Sequence, residues 1–79
     1  MAYLITKSIF PEDKERLKLD LSLKTEKYKY PFRLFDADNI LYFEGLSDKN
    51  FSFEPLDDEM GNSGCTEIKY SNNGVWETL

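Results

Sequence analysis

Few of the side chains that carry out chemistry in proteins are present, and their spacings suit structure better than catalysis. Histidine is absent, which removes the group that exchanges protons most readily near neutral pH and with it Ser-His, Cys-His and histidine-ligated metal arrangements. The single cysteine, Cys65, stands in Gly64-Cys65-Thr66 ahead of an expected strand. With no adjacent base it reads as a small buried hydrophobe rather than a nucleophile. One cysteine also precludes a disulfide within the chain, and without histidine the N/S ligand set of structural zinc cannot be assembled. Carboxylates are plentiful at Asp36, Asp38, Asp57, Asp58 and Glu59, yet glycosidase-type acid/base work needs a water-excluding cleft that so short a chain seldom builds. Asp36-Ala37-Asp38-Asn39 sets acids at alternate positions as a calcium loop does, but Leu41 stands where that loop needs glycine and Ser47 where it needs a bidentate glutamate. Turn chemistry explains the motif better. No catalytic residue, metal or cofactor is expected, and the chain does not read as an enzyme.

What remains is chemistry of recognition. Lys24-Thr25-Glu26-Lys27-Tyr28-Lys29-Tyr30 interleaves bases with aromatics in the manner of a single-stranded nucleic-acid binder, but lysines that guard a strand edge are the commoner use of such residues. The net charge of −5 repels phosphate backbones, so nucleic acid is disfavoured as a partner. Tyr42, Tyr70 and Trp76 are of the types enriched at interface hot spots, and Asp57, Asp58 and Glu59 offer an acidic segment beside them. These six residues are the candidate protein-binding set. The leading expectation is a non-enzymatic module that binds another protein. Two alternatives stand beside it: an acidic mimic of nucleic acid that occupies the groove of a DNA- or RNA-binding protein, and a structural homo-oligomer, such as a homodimer, that completes its core with a second copy.

The elements that must position these residues follow from length and pattern. Seventy-nine residues allow one domain, 1–79, in which a core of this size supplies only about 3 to 5 kcal/mol of net stability. Twelve aromatic residues are the main resource for it. Charge is divided along the chain: residues 1–35 hold eight bases and five acids, a balance of +3, and residues 36–79 two bases and ten acids, a balance of −8. Packing of the two halves side by side is the plainer reading, a basic face opposite an acidic one the sharper. No apolar run approaches the ~20 residues of a membrane span. The N-terminal Met1-Ala2-Tyr3-Leu4-Ile5-Thr6-Lys7 lacks the form of a secretory signal. These features point to the cytoplasm and away from membranes.

Period-two patterning dominates. Tyr3, Ile5 and Ile9 share a parity that predicts a strand over 3–9, with Lys7 as the exception. Leu17, Leu19, Leu21 and Leu23 alternate with polar residues and favour a strand after a turn or one helical turn over 11–15. Helix-forming residue types and Pro11-Glu12-Asp13 keep a longer helix over 11–23 as the alternative. Phe32–Phe35 and Ile40–Phe43 flank four residues of turn chemistry and predict a hairpin pairing Phe35 with Ile40 and Leu34 with Leu41, ended by Gly45. Both of its faces are apolar enough to be covered. Residues 47–64 read as a long connection with one short strand near Phe51–Glu54. A second hairpin, 66–70 with 75–79, closes the chain; a loop of Asn72-Asn73-Gly74 pairs Tyr70 with Trp76, and a loop of Asn73-Gly74 alone sets Trp76 opposite Ser71. A strand ending at Leu79 is expected to complete the chain. The fold expected is mainly β, a small antiparallel sheet or meander of five to six strands with at most one short helix; the alternative is α+β with a helix near 11–23.

The stretches Leu34-Phe35-Asp36-Ala37-Asp38-Asn39-Ile40-Leu41-Tyr42-Phe43-Glu44-Gly45 and Gly64-Cys65-Thr66-Glu67-Ile68-Lys69-Tyr70, with the closing Asn73-Gly74-Val75-Trp76-Glu77-Thr78-Leu79, resemble the second half of short uncharacterised bacterial or phage-type proteins. The resemblance covers about half the chain and implies a small stand-alone bacterial protein, with no function attached.

Overall fold

The computed structural model describes residues 2–79, apart from the side chain of Asn62. Five antiparallel strands form one sheet: β1 (Tyr3–Ser8), β2 (Tyr30–Phe35), β3 (Leu41–Ser47), β4 (Glu67–Asn72) and β5 (Val75–Thr78), in the spatial order β1-β3-β2-β4-β5. Two helices complete it, α1 (Lys14–Ser22), entered through a 3-10 turn at Pro11–Asp13, and α2 (Glu54–Ser63). The mainly β, antiparallel fold class is as expected. Because every pairing is antiparallel, β1 and β2 run parallel with β3 between them, and β3 and β4 run parallel with β2 between them. The chain therefore contains two overlapping split β-α-β units followed by a hairpin.

Two segments differ from expectation. Residues 17–22 are helix, not strand, and the alternative of a helix within 11–23 is the one realised. Pro11 occupies the first turn, where its missing N–H costs nothing, and Glu12 and Asp13 complement the positive end of the helix. The Ser8 hydroxyl donates to Asp13 Oδ2 (2.6 Å) and accepts from the Phe10 amide (3.0 Å), tying the turn to the end of β1. The second difference is α2, which replaces both the long connection and the short strand near Phe51–Glu54. Ser52 accepts the Glu54 amide (3.1 Å), Pro55 stands in the first turn, and Gly64 ends the helix at φ +80° with its amide bonded to the Met60 carbonyl (3.0 Å).

The core lies on one face of the sheet, where Tyr3, Ile5, Phe32, Leu34, Phe43, Ile68 and Tyr70 pack with Cys65 and with Leu56 of α2. Phe32 and Tyr3 meet edge to face at 5.9 Å, an arrangement that adds to the burial of each ring. A side chain at Gly45 would collide with the Phe32 ring and the Leu4 carbonyl oxygen. Glycine here allows close packing within β3, which runs on to Ser47, so Gly45 does not end the hairpin. Irregularities in the pairing explain two other features. Ile5 pairs with Gly45 but Lys7 with Glu44, so Thr6 is an extra residue and Lys7 is turned off the core face. Phe35 pairs with Leu41 and Leu34 with Phe43, which makes Tyr42 the extra residue and replaces the expected register around a longer loop closed by Asn39 at φ 64°.

β1 is fixed to both helices. Tyr3 donates its hydroxyl to Glu59 Oε2 (2.7 Å), and Arg16 of α1 donates both terminal nitrogens to the same carboxylate. Burial pushes the Glu59 carboxyl up, but the Arg16 guanidinium and the Tyr3 hydroxyl outweigh it and hold the group below its ordinary 4.5. A depressed carboxyl contributes stability that is present above the unfolded value and is lost as pH falls through the folded one. Urea melts between pH 3 and pH 7 are expected to show stability declining below about pH 4.5. Glu59→Gln should be less stable at pH 7 and show a shallower decline on acidification, and an unchanged slope would contradict the role given to this carboxylate.

Candidate functional site

The structure scatters the six sequence-predicted residues. Tyr70 is buried, with its hydroxyl bonded to the Ser52 carbonyl (2.6 Å), and Glu59 is buried on Arg16 and Tyr3. Neither presents its side chain at the surface. Asp57 and Asp58 are exposed on α2. Tyr42 is half-buried, packed edge to face on Phe10 at 5.6 Å. Trp76, also half-buried, stands opposite Ser71 across the two-residue turn Asn73-Gly74, whose φ values are 53° and 84°. The Asn73-Gly74 alternative is therefore the register found, and Tyr70 faces Glu77 instead of Trp76. The Trp76 ring stacks on the Arg33 guanidinium at 4.1 Å. This pair lies on the sheet face away from the core, where Lys7, Glu44, Arg33, Lys69 and Thr78 form one row across all five strands. Glu44 binds Arg33 Nε (2.9 Å) and lies 3.8 Å from Lys7. The row is a charge ladder, exposed at Lys7 and Thr78 and half-buried at Glu44, Arg33 and Lys69.

The sheet treats its two edges differently. At β1, the Asp48 amide bonds to the Ala2 carbonyl (2.9 Å), and antiparallel alternation then turns the backbone groups of Tyr3 and Ile5 outward. The outward amide of Ile5 donates to Asp20 Oδ2 of α1 (2.9 Å), and Asp20 is only 3% exposed. The helix thus closes this edge with a buried carboxylate. At β5, the Leu79 amide bonds to the Ile68 carbonyl (3.0 Å). The same alternation makes Tyr70–Glu77 and Asn72–Val75 the bonded pairs and turns the N–H and C=O groups of Trp76 and Thr78 away from the sheet. No element lies beyond β5 among the described residues.

Beside the open edge are apolar side chains that the core does not absorb: Val75 is 58% exposed and Phe53, at the start of α2, 49%. A pocket of about 340 Å³ lies at the C-terminal end of β5 between Phe53, Leu56, Ile68 and Leu79, with Asp36 and Glu67 at its polar side. The amides of Ile40 and Asp38 (2.9 Å each) and the Tyr42 hydroxyl hold the Asp36 carboxyl below the ordinary carboxylate range. Glu67 Oε1 accepts the Thr78 hydroxyl (3.1 Å). Cys65 is fully buried, with its thiol pushed up by that burial, and so keeps the structural character expected of it. Among the described residues no group of side chains could hold a metal ion, and no helix is long and apolar enough to cross a membrane.

Sequence reasoning nominated Trp76 but did not place it on a sheet edge. The usable signal was the Asn73-Gly74 turn, which marks 75–79 as the second arm of a hairpin. No protein-family model matches the chain, and no curated protein or solved structure is significantly similar to it.

The closure of β1 has a direct measure. Asp20→Ala leaves the Ile5 amide without an acceptor and should cost about 1 to 3 kcal/mol. In amide exchange by NMR the Ile5 signal should lose protection most, whereas Asp20→Asn, which keeps an acceptor oxygen, should retain much of it. Equal loss in both variants would mean that the hydrogen bond does not close the edge.

Proposed function

We propose that this protein is a non-enzymatic protein-binding module that receives an extended segment of its partner as a sixth strand on β5. The observation that carries the reading is the open hydrogen-bonding edge at Trp76 and Thr78 next to a pocket, in a sheet whose other edge is closed. Main-chain bonds to such an edge supply affinity, and neighbouring pockets for alternate side chains supply specificity.

Charge complementarity points to the kind of segment. The part of the chain that builds α2, β4 and β5 carries Glu54, Asp57, Asp58, Glu67 and Glu77. Lys69 is the one base on these three elements, and its ammonium sits over the Phe35 ring at 4.9 Å. A basic, partly apolar strand suits this surface better than an acidic one. It also suits it better than a second copy. Pairing two β5 strands in the register that sets outward-facing Trp76 opposite Thr78 of the copy would place Glu77 directly opposite its own symmetry mate, a destabilising arrangement.

Thr78→Pro separates binding from folding. The Thr78 amide takes no part in the ladder with β4, and proline is tolerated on an edge strand, so the melting temperature should shift by only a few degrees. A blocked seven-residue peptide of alternating valine and lysine should slow amide exchange at Trp76 and Thr78 of the parent protein and fail to bind Thr78→Pro. Undiminished binding to the proline variant, or protection confined to other strands, would sink the proposal.

A further inference from the structure

The pocket at the end of β5 has a composition that selects among side chains. Its apolar lining comes from exposed Phe53 and Leu79 over nearly buried Leu56 and Ile68, and its polar lining from Asp36, Thr66, Glu67 and Thr78. Neither carboxylate has an ion-pair partner among the described residues. Lys69, two positions from Glu67 on the same face of β4, is the nearest cation in sequence, but its ammonium is turned onto the Phe35 ring. Asp36 is anchored as the acceptor of two turn amides, so its charge is fixed in place by backbone. Glu67 uses one oxygen for the Thr78 hydroxyl and keeps the other free.

Long basic side chains match this combination, because their aliphatic stems cover apolar surface while the charged head stays at a polar rim. A volume of about 340 Å³ is ample for one such side chain together with solvent. The pocket is also positioned for an added strand. Thr78 and Leu79 line it, and Thr78 contributes outward backbone groups of the open edge. A segment hydrogen-bonded there passes over the pocket mouth.

Resting on the strand-addition reading, we infer that the pocket between Leu56, Ile68, Asp36 and Glu67 takes a lysine or arginine side chain of the bound segment, making that residue the specificity determinant. The carboxylates accept its N–H groups, and exposed Phe53 and Leu79 hold its stem.

Three blocked peptides test this, each seven residues of alternating threonine and valine with lysine, norleucine or glutamate at the centre. By calorimetry at low salt the lysine peptide should bind about tenfold or more tighter than the norleucine peptide, and the glutamate peptide weakest. Glu67→Gln, which keeps an acceptor for the Thr78 hydroxyl but removes the charge, should shrink the lysine preference, as should raised salt. Equal binding of lysine and norleucine, both lost in Thr78→Pro, would overturn the pocket assignment while leaving strand addition intact. A lysine preference untouched by Glu67→Gln would likewise overturn it. If none of the three peptides binds, strand addition fails and the inference fails with it.

Discussion

The hydrogen bond from the Ile5 amide to the Asp20 carboxylate is the contact on which the arrangement of this small protein depends. It joins the backbone of an edge strand to a side chain that is almost wholly buried. A carboxylate in that position is tolerable only with its oxygens engaged, so the bond fixes where α1 lies and which way it turns. With Asp20 facing β1, Leu19 and Leu23 fall on one shoulder of the helix and Leu17 and Leu21 on the other. Leu17 reaches the core, while the other three remain largely exposed. Glu59 of α2 takes the Tyr3 hydroxyl. Both helices thus reach the same strand through a carboxylate, one to its backbone and one to its side chain, and Arg16 links the two helices to each other.

That investment is one-sided. Among the described residues nothing comparable is built at β5, although unpaired edges invite association and native proteins commonly blunt them. The brevity of β5 and the charge of Glu77 discourage indiscriminate pairing, but they leave two residues of backbone free beside exposed Phe53 and Val75. On the strand-addition proposal, such an edge would disfavour its own copy by charge and favour a segment of the opposite sign. The sheet face away from the core serves a different end. There Arg33 lies between Trp76 and Glu44, which spends the strongest hot-spot side chains on internal order.

The legible parts of the fold were those in which local chemistry and tertiary packing agree. Asn73-Gly74 sets a tight turn whatever surrounds it, and Phe32, Leu34 and Phe43 share one core face as their alternation requires. The register of the first hairpin was not legible, because Tyr42 is inserted as an extra residue and a bulge leaves no mark in the period of the flanking side chains. The leucines of 17–23 misled for a specific reason. Alternation normally marks one buried face, yet here the residue facing inward is Asp20 and the leucines straddle it. The second helix was obscured by its own composition, since Gly61, Asn62, Ser63 and Gly64 read as loop, while Ser52 and Pro55 before it carried the start signal. The site suffered from the same limit. Residue types nominated Trp76, Tyr70 and Glu59 together, and only the pairing pattern separates an edge residue from two that lie inside.

The spatial order β1-β3-β2-β4-β5 also bears on how the chain reaches this state. The hairpins β2–β3 and β4–β5 close short loops, whereas pairing of Ile5 with Gly45 closes a loop of roughly forty residues, for which chain entropy exacts the larger cost. β1 gains the least from its neighbours in sequence and must be captured from a distance. The two buried carboxylates that grip it therefore act as a latch on a strand brought in from a distance, and release of that strand would free the contacts of both helices with it at once.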